Sequence, residues 1–204
     1  MTAELAPWVS MGVFAAAMAA LFAILTILRR TTRLSAESIR KLFHLGGGAA
    51  ALSLPWLFSA FWPVLVLAGG STLGFLALRL VPALQAGPGQ ILQSVSRKSF
   101  GEFSFMLGVL TVYAIAGDSV VVYSIGILVL AVADTAAALV GVFYGKHPYD
   151  VPGGRKSAEG SSAFLLTAFL CVLVPLLLFT ETGRPETLLI ALNTAVLLML
   201  ALKR

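Results

Sequence analysis

Charge is scarce in this chain. Only 11% of its 204 residues are Asp, Glu, Lys or Arg, against about 25% in a soluble domain. With 59% hydrophobic residues and a mean hydropathy of +0.96, this excludes a soluble enzyme and leaves an integral membrane protein. Cysteine is nearly absent. Cys171 is the one thiol, so no intrachain disulfide can form, and its place in an apolar run reads as a small hydrophobe. Histidine is almost as rare. His44 and His147 have no Cys or His neighbours at metal-ligand spacing, which argues against a zinc site. Acid is outnumbered, with nine Asp and Glu against fourteen Lys and Arg. That excess does not point to nucleic acid, because the basic residues fall in short gaps between apolar runs, as topology determinants do. The first apolar run has no basic stretch before it and no small-residue cleavage site after it, so it reads as a retained helix.

What the chain has in abundance is apolar runs. Seven can be drawn, at about 7–28, 42–58, 61–80, 100–117, 119–144, 159–180 and 186–202. Most approach the ~20 residues that span a bilayer, and the second and fourth are short. The expected fold is all-α: one multi-pass membrane domain over 1–204, with about seven transmembrane helices. Pro55 and Pro63 flank the second hairpin, and Gly117-Asp118 makes the turn into the fifth run, with Asp118 suited to an N-cap. Thirteen of the fourteen basic residues lie in alternate gaps or after the last run, and only Arg184 lies in the others. The positive-inside rule then places the N-terminus outside and the C-terminus in the cytoplasm. The segment 146–161 falls on the cytoplasmic side, as does the start of the second run.

Against this background one acid stands out. Asp134 lies in the otherwise uncharged run Ser119 to Tyr144. An ionisable group at membrane depth is costly and marks a functional site. Ala138, Gly141 and Gly145 follow it at i+4, i+7 and i+11, on the same helical stripe. The stripe serves as a small-residue packing face or as a ligand groove whose acid holds a divalent cation; packing explains the glycines but not the acid, which favours the functional reading of Asp134. Magnesium takes one or two carboxylates and leaves its other positions to phosphate and water. Beyond the stripe come Lys146 and then Gly153-Gly154-Arg155-Lys156-Ser157-Ala158-Glu159-Gly160-Ser161. Glycines allow close backbone approach, a helix start offers N–H groups and a positive dipole end, and Arg155 and Lys156 add charge. The same residues also suit an ordinary basic loop ending in a Ser157 cap, with Glu159 complementing the dipole. The spacing of Gly141 and Gly145 excludes a Walker A loop. Two weaker groups complete the set: Arg40, Lys41 and His44 before Gly46-Gly47-Gly48, and Ser96 to Glu102 opening the fourth run.

Four stretches in this order resemble the CTP-dependent lipid kinases, a family that includes dolichol, phytol and farnesol kinases and a CTP-type diacylglycerol kinase, with phosphatidate cytidylyltransferases more distantly similar. They are Arg40-Lys41-x-x-His44; Gly101-Glu102 with Gly108; Asp134-x3-Ala138-x2-Gly141-x3-Gly145-Lys146; and Lys156-Ser157-x-Glu159-Gly160-Ser161. Val142 stands where many members carry a basic residue, and Asn193 lacks the acid that precedes it in many relatives. The resemblance implies transfer of the γ-phosphoryl of CTP to a lipid alcohol in a prokaryotic cytoplasmic membrane, with Mg²⁺ as cofactor. It implies Asp134 and Glu159 at the metal or as base, and His44 and Glu102 on the acceptor side with Arg40 and Lys41. It also implies nucleotide contacts from Lys146, Arg155, Lys156, Ser157, Gly160, Ser161, Gly141 and Gly145. A cytidylyltransferase and a small ion-coupled transporter using Asp134 as its ion site are the alternatives. The expected partners are a lipid alcohol, a nucleoside triphosphate and membrane lipids, with no nucleic acid.

Overall fold

The computed structural model describes residues 6–81, 101–151 and 154–201. Of residues 36, 37 and 102 it describes the backbone alone. The chain divides into two compact units, Met1–Gly117 and Asp118–Arg204. The basic residues Arg97, Lys98, Lys203 and Arg204, the run Ser96 to Phe100, and Gly153 lie outside the described residues.

The first unit contains α1 (Pro7–Thr31), α2 (Ala36–Leu52), the single turn α3 (Leu54–Leu57), α4 (Phe61–Leu80) and α5 (Gly101–Ala116). Pro7 occupies the first turn of α1, where its missing N–H costs nothing. Ser35 caps α2 by accepting the Ser38 N–H at 3.0 Å. That cap starts α2 six residues before the apolar run expected at 42, so Arg40 and Lys41 lie inside the helix rather than flanking it. Lys41 is buried at 6% exposure. Leu25 of α1 and Ile39 of α2 form a small core with Leu21, Phe22, Leu28 and Phe43 around it. Gly47 brings α2 close to Phe105 of α5, and the His44 ring sits 4.4 Å from the Phe105 ring. Tyr113 of α5 donates its hydroxyl to the Phe58 carbonyl.

The second unit contains α6 (Val120–Tyr144), a hairpin of β1 (Pro148–Val151) and β2 (Gly154–Ser157), α7 (Ala158–Phe179) and α8 (Arg184–Ala201). Gly117 takes the left-handed conformation, φ +54°, which glycine adopts at no steric cost. Ser119, not Asp118, caps α6, accepting the Val122 N–H at 3.3 Å. Ser119, two residues after the left-handed glycine, has the extended backbone a cap requires, at φ −83° and ψ 95°. α7 packs against both α6 and α8. Ala133, Phe164, Ala168 and Ala195 form the core at that junction, where small residues let helix axes approach closely.

Among the described residues five helices are long and apolar enough to cross a membrane: α1, α4, α6, α7 and α8. They carry many exposed large hydrophobics, among them Trp8, Leu73, Leu178 and Leu197. In water such surfaces aggregate; in a bilayer they face lipid. The protein is thus a helical integral membrane protein. The expected second and fourth spans are shorter helices, 17 residues in α2 and 16 in α5. Among the described residues the one departure from helical secondary structure is the hairpin, which sequence reading took for a polar loop.

Candidate active site

In the second unit Lys146, His147, Arg155, Lys156 and Glu159 lie between the end of α6 and the first turn of α7. Directly before Asp134, α6 changes to π-helical turns over Val129–Ala133. Such insertions shift the register of the residues beyond them and are frequent at functional sites. Asp134 follows on an exposed face of the helix, one turn before the small-residue stripe. Thr135, beside it, is buried with a hydroxyl that has no hydrogen-bond partner among the described residues.

The stripe is where α6 meets the start of α7. A methyl group on Gly160 would stand 2.8 Å from the Ala137 carbonyl oxygen and 3.2 Å from Gly141 Cα. At Gly141 the nearest obstacle is Ser157 Oγ at 3.3 Å. Gly145 ends α6 with ordinary negative φ, −67°, so its need for glycine is spatial: a Cβ would lie 2.9 Å from Ser157 Oγ and 3.0 Å from Ser157 Cβ. Packing therefore accounts for the glycines. It leaves the acid unexplained.

Past Gly145 the chain turns through Lys146 and His147 into the hairpin. Tyr149 pairs with Lys156 and Asp150 with Arg155. The Ala158 N–H donates to the His147 carbonyl at 2.9 Å, which carries the pairing up to the helix. Ser157 caps α7 as expected, its Oγ accepting the Gly160 N–H at 3.1 Å. The positive dipole end of α7 lies at this point.

A cleft of about 600 Å³ opens between these elements, within the size range of small-molecule sites. Asp134, Gly141 and Gly145 line it from α6, with Lys146 just beyond. Arg155, Lys156 and Ser157 line it from β2, and Gly160 and Ser161 from α7. Nine of the fourteen sequence-derived site residues thus share one cavity. Its three cations against one carboxylate suit an anionic ligand such as a polyphosphate.

Of the other five, one belongs to the same unit and four to the first. Glu159 does not line the cleft; its carboxylate is turned to His147, with Oε1 2.6 Å from Nδ1. Arg40, Lys41 and His44 belong to α2 of the first unit, and Glu102 to the first turn of α5. Sequence reading missed Tyr149, Phe164 and Met199 in the lining. The Tyr149 and Ser161 hydroxyls are hydrogen-bonded. Pro152-Gly153-Gly154 between two short polar-apolar runs is a turn signal that could have revealed the hairpin, and with it Tyr149. Phe164 and Met199 leave no such trace among so many apolar residues.

The donor set bears on metal chemistry. Among the described residues no group of three or more His, Cys, Asp or Glu is positioned to hold an ion. That rules out an all-protein cage there but fits Mg²⁺, which borrows phosphate and water ligands around one carboxylate.

The chain is 34% identical over 170 residues to the phytol kinase of Synechocystis sp. (strain ATCC 27184 / PCC 6803 / Kazusa), a stretch covering 82% of this chain and 70% of that protein. No family model and no solved structure matches it.

Proposed function

The chain belongs to the lipid kinase family that includes phytol kinase, and we propose that it moves the γ-phosphoryl group of CTP onto the hydroxyl of an isoprenoid alcohol of the phytol class. The observation that carries this reading is the single cleft holding Asp134, Lys146, Arg155 and Lys156 around the N-terminus of α7. Basic side chains and helix N–H groups bind phosphate oxygens. The acid among them is what a nucleotide's accompanying Mg²⁺ requires.

In this mechanism Lys146, Arg155 and Lys156 neutralise the triphosphate, and the positive dipole end of α7 favours its approach. Asp134 would hold Mg²⁺, whose bound charge lowers the cost of the charge developing on the transferred group. The acceptor oxygen forms its bond to the γ-phosphorus as the bond from that phosphorus to the bridging oxygen breaks. The electron pair leaves with the nucleoside diphosphate, and the hydroxyl proton is released. Such transfers rest on positioning and charge stabilisation more than on covalent chemistry. The glycines that pack α6 on α7 fix the two walls of the cleft, which sets that positioning.

Seven spans with the N-terminus outside follow from the distribution of Lys and Arg, with α2 and α5 as the two shorter members. In that topology the cleft faces the cytoplasm, where nucleotide is available, and lipid reaches it laterally. His44 and Glu102, with Arg40 and Lys41, are assigned to the acceptor side on family resemblance.

The test is transfer from labelled nucleotides to phytol, farnesol, a polyprenol and diacylglycerol by the purified protein. Label from [γ-³²P]CTP should reach the lipid, and label in the cytidine should not. Asp134→Asn should abolish transfer while leaving the unfolding transition in place. Near-normal turnover in that variant refutes the role of the acid, and cytidine in the product refutes the kinase reading.

A further inference from the structure

His147 lies next to Lys146 in sequence and is 79% exposed, and nothing in the mechanism above uses it. It nevertheless makes three hydrogen bonds to the start of α7. The His147 backbone N–H donates to Glu159 Oε2 at 3.3 Å. Its ring Nδ1 lies 2.6 Å from Glu159 Oε1. Its carbonyl accepts the Ala158 N–H at 2.9 Å. Three hydrogen bonds therefore tie one exposed residue to the first turn of α7. Both oxygens of Glu159 are engaged in them, and Glu159 lies outside the cleft lining while Lys146 lies within it.

We propose that Glu159 and His147 are positioning residues, forming a clamp that holds Lys146 at the rim of the cleft, and that Glu159 does not ligate the metal. The inference rests on the kinase reading for its consequence but on the hydrogen bonds for its existence. Lys146 follows a helix end and carries a long, flexible side chain. Left on an open loop, it loses conformational freedom whenever it engages phosphate. With the next residue fixed at its N–H, its carbonyl and its ring, the lysine's backbone is set before the nucleotide arrives. Preorganisation of this kind raises affinity by lowering the cost of ordering. An acid in the first turn of α7 is also stabilised by the helix dipole, so Glu159 is a firm anchor for the clamp.

The experiment is a double-mutant cycle on the full-length protein in detergent, with His147→Ala, Glu159→Ala and the double variant. Each single change should raise the KM for CTP about fivefold, the scale of one hydrogen-bonded contact, with kcat and the Mg²⁺ concentration for half-maximal rate little changed. The double variant should be no worse than the worse single variant, because the two residues act as one unit. His147→Asn, whose amide nitrogen occupies the place of Nδ1, should recover most of the loss. Hydrogen–deuterium exchange of the peptide spanning 145–151, without nucleotide, should quicken in both alanine variants.

Additive losses with a raised Mg²⁺ requirement confined to Glu159→Ala overturn the proposal and return Glu159 to the metal. Unchanged exchange in both variants also overturns it. If the wild-type protein holds the clamp by exchange but transfers no phosphoryl group, it is the kinase reading that fails.

Discussion

Adding one methyl group at Gly160 tests whether the cleft depends on direct backbone contact between α6 and α7. The side chain of Gly160→Ala would place its carbon 2.8 Å from the Ala137 carbonyl oxygen, 3.1 Å from Ser157 Oγ and 3.2 Å from Gly141 Cα. Ordinary contacts begin several tenths of an ångström further out. Two of the three obstacles are backbone atoms of α6, which no rotamer change can move, so the helices must part. Overpacking of this kind costs about 1–3 kcal/mol. At ~2–4 °C per kcal/mol for a chain of this size, the unfolding temperature in detergent should fall by roughly 2–12 °C. CTP affinity should fall with it, because Gly160 and Gly141 are both cleft walls. Two comparisons calibrate the result. Gly141→Ala meets only Ser157 Oγ at 3.3 Å and Gly160 Cα at 3.8 Å, and should cost less than Gly160→Ala. Gly70→Ala in α4 meets nothing within 4 Å, and should be neutral or stabilising because alanine favours a helix over glycine by ~1 kcal/mol. If Gly160→Ala unfolds together with Gly70→Ala, the close approach is not a feature of the protein and the account of the stripe is wrong.

Removing the cap of α7 by Ser157→Ala should destabilise the protein by ~1 kcal/mol and weaken CTP binding, because the Gly160 N–H loses its partner beside the cleft; thermal unfolding and equilibrium dialysis measure the two effects. In the first unit, Tyr113→Phe deprives the Phe58 carbonyl of its donor, and unfolding should show a loss of ~1 kcal/mol with CTP affinity unchanged. Raising the ionic strength should weaken CTP binding through the screening of Lys146, Arg155 and Lys156, whereas a transporter using Asp134 alone would show no dependence on those three residues.

Much of the site could be read in the sequence because the bilayer penalises charge. An acid within an apolar run, glycines at helical spacing and a glycine-flanked basic stretch are conspicuous only against that penalty. Asp134, Arg155 and Lys156 stood out for this reason, and the structure brings them to one cleft. The helical spans were legible for the same reason, since a membrane chain must satisfy its backbone within each segment. The start of α2 was misjudged because Ser35 caps the helix ahead of the apolar run, and hydropathy does not register a cap. The hairpin was missed because its eight paired residues carry no apolar alternation long enough to read as strands.

The sequence by itself determined the solvent, the helices that cross it, and which few polar residues had to matter, because each of these follows from the cost of placing a group in hydrocarbon. Tertiary structure alone decided which of those residues meet. It turned Glu159 away from the cleft and onto His147, and it set a π-helical turn before Asp134 in a run whose composition gives no sign of one. It also made the glycines a contact between helices. These outcomes depend on how close two helices can come and on which partner a carboxylate reaches first, and both are properties of the packed chain rather than of any segment within it.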